Sequence, residues 1–365
     1  MNVPFIDLRR ANQPLAQELL EAFGRVVDRS GFCLGPEVEA FEAAFARAQG
    51  LPRCVALGSG TEALHLVALA LGVGPGDEVI LPAATFVATA WFAEHAGAKI
   101  VFADVDPVTY TLDPRSAAER VTERTKAIVA VHLYGQPADM DPLLAIGRER
   151  GVAVVEDAAQ AHLARYKGRP VGALGAAGIF SFYPTKNLGG LGEGGCAASA
   201  DEALLDRIAV LRVHGSRERY VNERVGYNNR MEGLQAAALN VKLPHLPYKT
   251  ARRQSIARRY LGGVANRSIR LPQPVRWGDS VYHQFTALHP ERDRLRAYLA
   301  EKGVGTDVIY PRPLHLQPCF ASLGYGEGDF PVSERLAAQC LSLPIMPELT
   351  DEEVGYVIDC LNDFE

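Results

Sequence analysis

Three short stretches of this 365-residue sequence carry residues whose types and places could do chemistry together. GSGTEA (58–63) follows an apolar run and opens a helical pattern. Free backbone N–H groups at a helix start, with the Thr61 hydroxyl beside them, suit a phosphate, although Thr61 could equally serve as a helix cap. VAVVEDAAQAH (152–162) places Asp157 at the end of a strand that reads as buried. Burying an ionised carboxylate is costly unless a partner compensates, so Asp157 either faces a cation or caps the following helix. Gln160 reaches toward the same place. GIFSFYPTKNLGGLGEGG (178–195) ends another strand at Pro184-Thr185-Lys186, with Ser181 five residues before the lysine. Taken alone, a lysine on a glycine-rich loop is an ordinary solvated side chain.

A phosphate cup, a buried carboxylate and a lysine in one pocket suit pyridoxal 5'-phosphate. The lysine amine forms a Schiff base with the aldehyde, and the carboxylate keeps the pyridinium nitrogen protonated, which makes the ring an electron sink. Released from the cofactor, the lysine can carry a proton as general base, helped by a pKa lowered through burial. Phe86, in LPAATFVATAW just beyond another strand end, is placed to stack on the ring. The glycines behind Lys186 read as letting the backbone pass close to the cofactor.

These groups need a common frame. Apolar runs at 53–58, 78–82, 99–105, 126–133, 152–157 and 178–183 read as strands, alternating with helical patterns such as 61–72 and 141–151. Residues 36–50 read as an amphipathic helix ahead of them. The alternation predicts an α/β fold with a mostly parallel mixed sheet flanked by helices, whose ligands gather at the carboxyl ends of the strands. Residues 246–264 read as a long basic-faced helix leading into a smaller α/β unit. The division expected is an N-terminal arm and large domain at 1–245 and a small C-terminal domain at 246–365. GSGTEA also has the shape of a dinucleotide-binding turn, which makes a NAD-dependent nucleotide-sugar oxidoreductase the competing reading. That fingerprint needs an acidic residue at the end of the next strand, but Asp77 and Glu78 precede the strand and it ends in Pro82-Ala83-Ala84.

A net charge of −5 with no dense basic run argues against nucleic acid. Six scattered cysteines without a C-x-x-C pair argue against a metal or disulfide framework. No stretch reaches membrane-spanning length and MNVPFIDLRR has no apolar signal core, so the expectation is a cytoplasmic protein with no membrane contact.

GSGTEAL, TFVATA, VHLYGQPADMD, VEDAAQAH, SFYPTKNLGGLGEGG and GYNNRMEGLQAA, in this order, resemble the DegT/StrS-type sugar aminotransferases, pyridoxal-phosphate enzymes of fold type I. The likeness runs from about residue 3 to the end. It implies that Lys186 is the Schiff-base lysine, Asp157 the partner of the pyridinium nitrogen, Gln160 a contact of the ring's phenolic oxygen and Phe86 the stacking ring. Gly60, Thr61 and Ser181 would hold the phosphate. Asn228 would reach the phosphate in the neighbouring subunit's site, which implies a homodimer with shared sites. Leu163 and Glu193 stand where many relatives have Gly and Asp. Lys186 excludes the branch with a histidine there, which dehydrates keto sugars. A regulator that keeps the fold without catalysis is a further alternative, disfavoured because the first 35 residues are too short for a DNA-binding segment.

The blocks at 211–231 and 310–349 look most like the subgroup acting on dTDP-linked 3-keto-6-deoxyhexoses, giving 3-amino-3,6-dideoxyhexoses with glutamate as amino donor. UDP-linked 3-keto-hexuronates and carbon-4 amination are the rivals. A nucleotide diphosphate needs cations or donors at the pocket mouth. Arg219, Arg230, Arg312 and His315 are candidates for it, and Tyr183 and Tyr310 for the sugar.

Overall fold

A computed structural model describes residues 1–365. Its centre is a seven-stranded sheet. In chain order its strands are β1 (Cys54–Leu57), β2 (Glu78–Pro82), β3 (Lys99–Ala103), β4 (Thr125–Val131), β5 (Ala153–Asp157), β6 (Ala177–Ser181) and β7 (Gly195–Ala198). Their spatial order is β1-β7-β6-β5-β4-β2-β3. Pairings from β6 through β3 are parallel, and β7 pairs antiparallel with both β6 and β1. Six strands therefore run one way and β7 alone runs the other. Its small residues GCAA carry little strand signal, and the sequence reading passed over it.

Both faces of the sheet are covered, and the pleat decides which side chain goes where. Ala56, Ile80, Ile128, Val154 and Phe180 face one core, shared with Phe41 and Phe45 of the helix Pro36–Gln49. Their neighbours Leu57, Val79, Val129, Val155 and Ile179 face the other, shared with the helices Gly60–Ala70 and Ala88–Glu94. Near-continuous apolar strands are what such two-sided burial requires.

The helix Leu246–Gly263 spans two bodies. Leu246 packs into the sheet core, whereas Ile256, Ala257 and Tyr260 belong to a second core with Phe285, Leu341 and Leu361. The chain does not cross between the bodies only once. Val3 bridges to Val304 and is buried in the second core, while Leu314, Phe320 and Phe330 return to the sheet core. A small antiparallel pair, Phe285–Leu288 with Cys340–Leu343, forms the strands of the second body.

Candidate active site

The carboxyl ends of β1, β2, β5 and β6 open onto a cleft of ≈ 390 Å³. Gly60, Thr61, Phe86, Asp157, Gln160, Ser181, Tyr183, Lys186 and Tyr310 all line it. Residues from Gly60 to Lys186 thus meet at one sheet edge because the strands that carry them are parallel, and Tyr310 joins them from the loop ahead of Leu314.

At the end of β1 the chain turns into the helix Gly60–Ala70. Ser59, not Thr61, caps it: the Ser59 hydroxyl accepts from the Glu62 N–H at 3.1 Å. The Gly60 and Thr61 N–H groups and the Thr61 hydroxyl are left without an internal partner. A Cβ on Gly60 would stand 2.8 Å from Ser181 Cβ, so the helix start is pressed against the end of β6. This supplies the donor set of an oxyanion cradle at the positive end of an 11-residue helix.

Asp157, at the end of β5, is 6% exposed. Its Oδ2 accepts from Thr89 Oγ1 at 2.8 Å and its Oδ1 from the Ala159 N–H at 3.2 Å. Thr89 has one proton, so its 2.9 Å contact with Thr85 is a bond donated by Thr85. No helix follows Asp157, which removes the helix-cap reading. Burial raises its pKa, against the lowering effects of Thr89, the Ala159 N–H and Lys186.

Lys186 is half-buried at the floor of the cleft. Burial lowers its pKa to about 8, and the nearby Asp157 opposes this more weakly. Burial therefore outweighs the mutual attraction at both partners. The glycines behind Lys186 have a role within the protein fold. Side chains at Gly189 and Gly195 would strike the Pro184 carbonyl and the Ser59 backbone, and one at Gly192 would lie 2.7 Å from Gln235 Nε2. They make room for the protein itself, closing the loop onto the β1 turn and onto Gln235, which accepts from the Leu191 N–H.

Gln160 is braced on both sides. Its Oε1 accepts from the Tyr134 N–H at 2.6 Å and its Nε2 donates to the Tyr310 hydroxyl at 2.8 Å. One Nε2 proton remains for a ligand. The Tyr310 ring lies 5.8 Å from that of Phe86, which lines the cleft and is 52% exposed. Tyr134 and Tyr310 both adopt left-handed backbone conformations (φ 59° and 67°), a strain that concentrates where side chains must be aimed.

Five sequence candidates lie outside this cleft. Asn228 is exposed, with its Oδ1 accepting from Arg230 Nε at 2.9 Å. Arg219 lies on an exposed hairpin with its guanidinium 4.9 Å from the Tyr220 ring centre. Arg312 is exposed and reaches only the Leu316 carbonyl. His315 does not stand at the mouth. It is 1% exposed, bonded to Glu334 at 3.1 Å and packed on Phe330, because the segment after Tyr310 folds back into the sheet core. The sequence reading missed Thr85, Thr89, His283 and Gln284. Thr89 was findable in TFVATA, three residues after Phe86 and so on its helical face; His283 and Gln284 come from a distant loop with no local signal.

The model of the DegT/DnrJ/EryC1/StrS aminotransferase family matches residues 13–362. The chain belongs to this family. It is 46% identical to a pleiotropic regulatory protein of Geobacillus stearothermophilus, over 100% of this chain and 99% of that one. It is 43% identical to dTDP-3-amino-3,4,6-trideoxy-alpha-D-glucose transaminase of Streptomyces venezuelae, over 99% and 96%. The crystal structure of S. venezuelae DesV in complex with a ketimine intermediate superposes with a TM-score of 0.97 at 43% identity, covering 99% and 98% of the two chains. The fold is that of these aminotransferases, and the chain is an aminotransferase by family. Solved relatives include PLP and PMP forms.

Proposed function

We propose that this aminotransferase uses pyridoxal 5'-phosphate to move an amino group from glutamate to a dTDP-linked 3-keto-6-deoxyhexose. The observation that carries the reading is the convergence of the Gly60–Thr61 cradle, Asp157 and Lys186 in one cleft. The cradle and Ser181 fit the phosphate, Asp157 fits the ring nitrogen, the free Gln160 N–H fits the phenolic oxygen, and Phe86 offers a stacking face. When bound, the cofactor supplies an electron sink for the carbon that loses its proton.

The remaining work falls to this chain's own groups. Lys186 is the residue that would hold the cofactor, and its free amine would carry the proton between carbon centres. Its lowered pKa places its proton transfers near neutral pH. Asp157 would face the ring nitrogen, its oxygens fixed by Thr89 and the Ala159 N–H. Asn228, exposed here, and the half-buried Arg230 bonded to it serve the partner's cleft in a homodimer with shared sites.

The dTDP-3-amino assignment rests on three relatives with such names, at 43%, 40% and 37% identity. Relatives named for UDP-linked sugars match at 40% and 39%. A mass assay with dTDP- and UDP-linked 3-keto sugars plus glutamate decides between them. Amination of the dTDP-6-deoxy sugar is expected; turnover of the UDP sugar alone would overturn the substrate, and of neither, the reaction.

A further inference from the structure

His132 lies just after β4, fully buried and outside the lining of the cleft. Its ring makes two bonds whose directions are fixed. The Ala138 N–H donates to Nδ1 at 3.0 Å, so Nδ1 carries no proton. The proton therefore sits on Nε2, which donates to Glu156 Oε2 at 3.1 Å. Glu156 is fully buried too, and is held by the N–H groups of Gly172, Leu174 and Gly175 at 2.8, 2.7 and 2.9 Å. The His132 N–H adds a bond to the Asp157 carbonyl at 3.0 Å. A ring anchored in the sheet thus closes the base of the turn that runs from 132 to 138.

The apex of that turn meets Gln160. Tyr134 is held at φ 59° and Gly135 at φ 88°. A Cβ on Gly135 would stand 3.1 Å from the Gln160 carbonyl oxygen, so the turn is pressed against the segment that carries Gln160. In this conformation the Tyr134 N–H donates to Gln160 Oε1 at 2.6 Å. With Oε1 committed, the amide presents Nε2 on its other side. There it donates to the Tyr310 hydroxyl at 2.8 Å and keeps one proton for the cleft it lines. An unbraced glutamine can turn either end of its amide to a ligand, and the wrong end would set one oxygen against another.

We infer that His132 is a positioning residue for Gln160: by closing the turn through Ala138, it aims the Tyr134 N–H that fixes which end of the Gln160 amide faces the cleft. This rests on the Gln160 N–H serving the cofactor's phenolic oxygen. A donor there stabilises that oxygen as the anion. It therefore lowers the pH at which the cofactor held by Lys186 loses its proton, and with it its yellow colour. His132 acts on that pH through the Ala138 and Tyr134 bonds, without touching the cofactor. The Gln284 N–H on the Tyr134 carbonyl and the Tyr134 hydroxyl on the Ile309 carbonyl hold the outer side of the turn, at 3.2 and 3.3 Å. Losing the bond at its base therefore loosens the aim of Gln160 and does not abolish it.

Two substitutions separate the two bonds of the ring. His132→Asn places an oxygen near the Nδ1 position and keeps the Ala138 bond. His132→Gln places an amide nitrogen near the Nε2 position and keeps the Glu156 bond. Full-length protein is loaded with pyridoxal phosphate and its visible band is titrated against pH, with Gln160→Leu as the reference for a lost donor. Gln160→Leu is expected to move the band's midpoint up by about one unit. His132→Gln is expected to move it up by about half a unit, and to add nothing in the Gln160→Leu background. His132→Asn is expected to keep the wild-type midpoint, although both His132 variants lower stability in urea because each leaves one buried partner unpaired. His132→Gln at the wild-type midpoint, His132→Asn shifted as far as His132→Gln, or a further shift in the double variant would overturn the inference. So would 15N NMR of wild-type, cofactor-free protein showing the His132 proton on Nδ1, a readout that needs no variant. An unmoved band in Gln160→Leu would instead overturn the phenolic-oxygen contact, and this role with it.

Discussion

Thr89→Val is a near-isosteric change that removes one hydroxyl from the most tightly buried charge in the cleft. Thr89 donates to Asp157 Oδ2 at 2.8 Å and receives from Thr85, so the two threonines form a relay ending on the carboxylate. A hydrogen bond to a charged group contributes about 1.5–3 kcal/mol. At about 1.4 kcal/mol per unit, its loss corresponds to a rise of about one to two pKa units. The sign follows from which form is favoured: Thr89 stabilises the ionised carboxylate, so removing it raises a pKa that burial has already raised. The Ala159 N–H at 3.2 Å remains as the one protein donor. The assay is a 13C NMR titration of Asp157 in cofactor-free protein, alongside the acid limb of kcat against pH in the loaded enzyme. Both are expected to move to higher pH in Thr89→Val. An unchanged or lowered Asp157 pKa would refute the idea that this bond holds the carboxylate ionised.

Gly60→Ala is expected to abolish tight cofactor retention in equilibrium dialysis, because its methyl would lie 2.8 Å from Ser181 Cβ and spread the cradle. Glu156→Gln should lower stability in urea denaturation by about 3–5 kcal/mol. Glu156 is fully buried and accepts from the N–H groups of Gly172, Leu174 and Gly175 and from His132, a donor set that only a carboxylate satisfies. Lys186→Ala and Asn228→Ala, each inactive or weak alone, should recover about a quarter of wild-type activity when mixed and allowed to exchange subunits. Half the dimers then hold one intact site of two. No recovery would place Asn228 outside the partner's site.

The legible part of the sheet was the part made of long apolar runs. The strands ending at Asp157 and Ser181 could be read because two-sided burial leaves four or five apolar residues in a row. β7 could not, since GCAA lies flat between two strands and owes its pairing to the loop closing on Ser59. In the cleft, Lys186, Asp157 and the helix start at Gly60 were readable because each lies at or shortly after the end of a strand. Thr89 and His283 bond to residues 68 and 96 positions away, a relation no local pattern encodes. His315 shows the reverse failure. A histidine in a proline-rich loop looks available, but the chain folds it against Phe330 and Glu334. The glycines after Lys186 also close the loop on protein, and close approach to protein and close approach to a ligand leave the same mark in sequence.

Lys186 is the residue expected to capture the cofactor in this cleft. A lysine at about 8 is roughly one-quarter free amine at pH 7.5, against about one in a thousand for an ordinary lysine. The direct measurement is uptake of pyridoxal phosphate by wild-type protein and by Lys186→Ala, followed by borohydride reduction and peptide mapping from pH 6 to 10. The expected result is a yellow wild-type protein, one adduct on Lys186 with a midpoint near pH 8, and none in the variant. A protein that stays colourless, or that carries the adduct on another lysine, would contradict it.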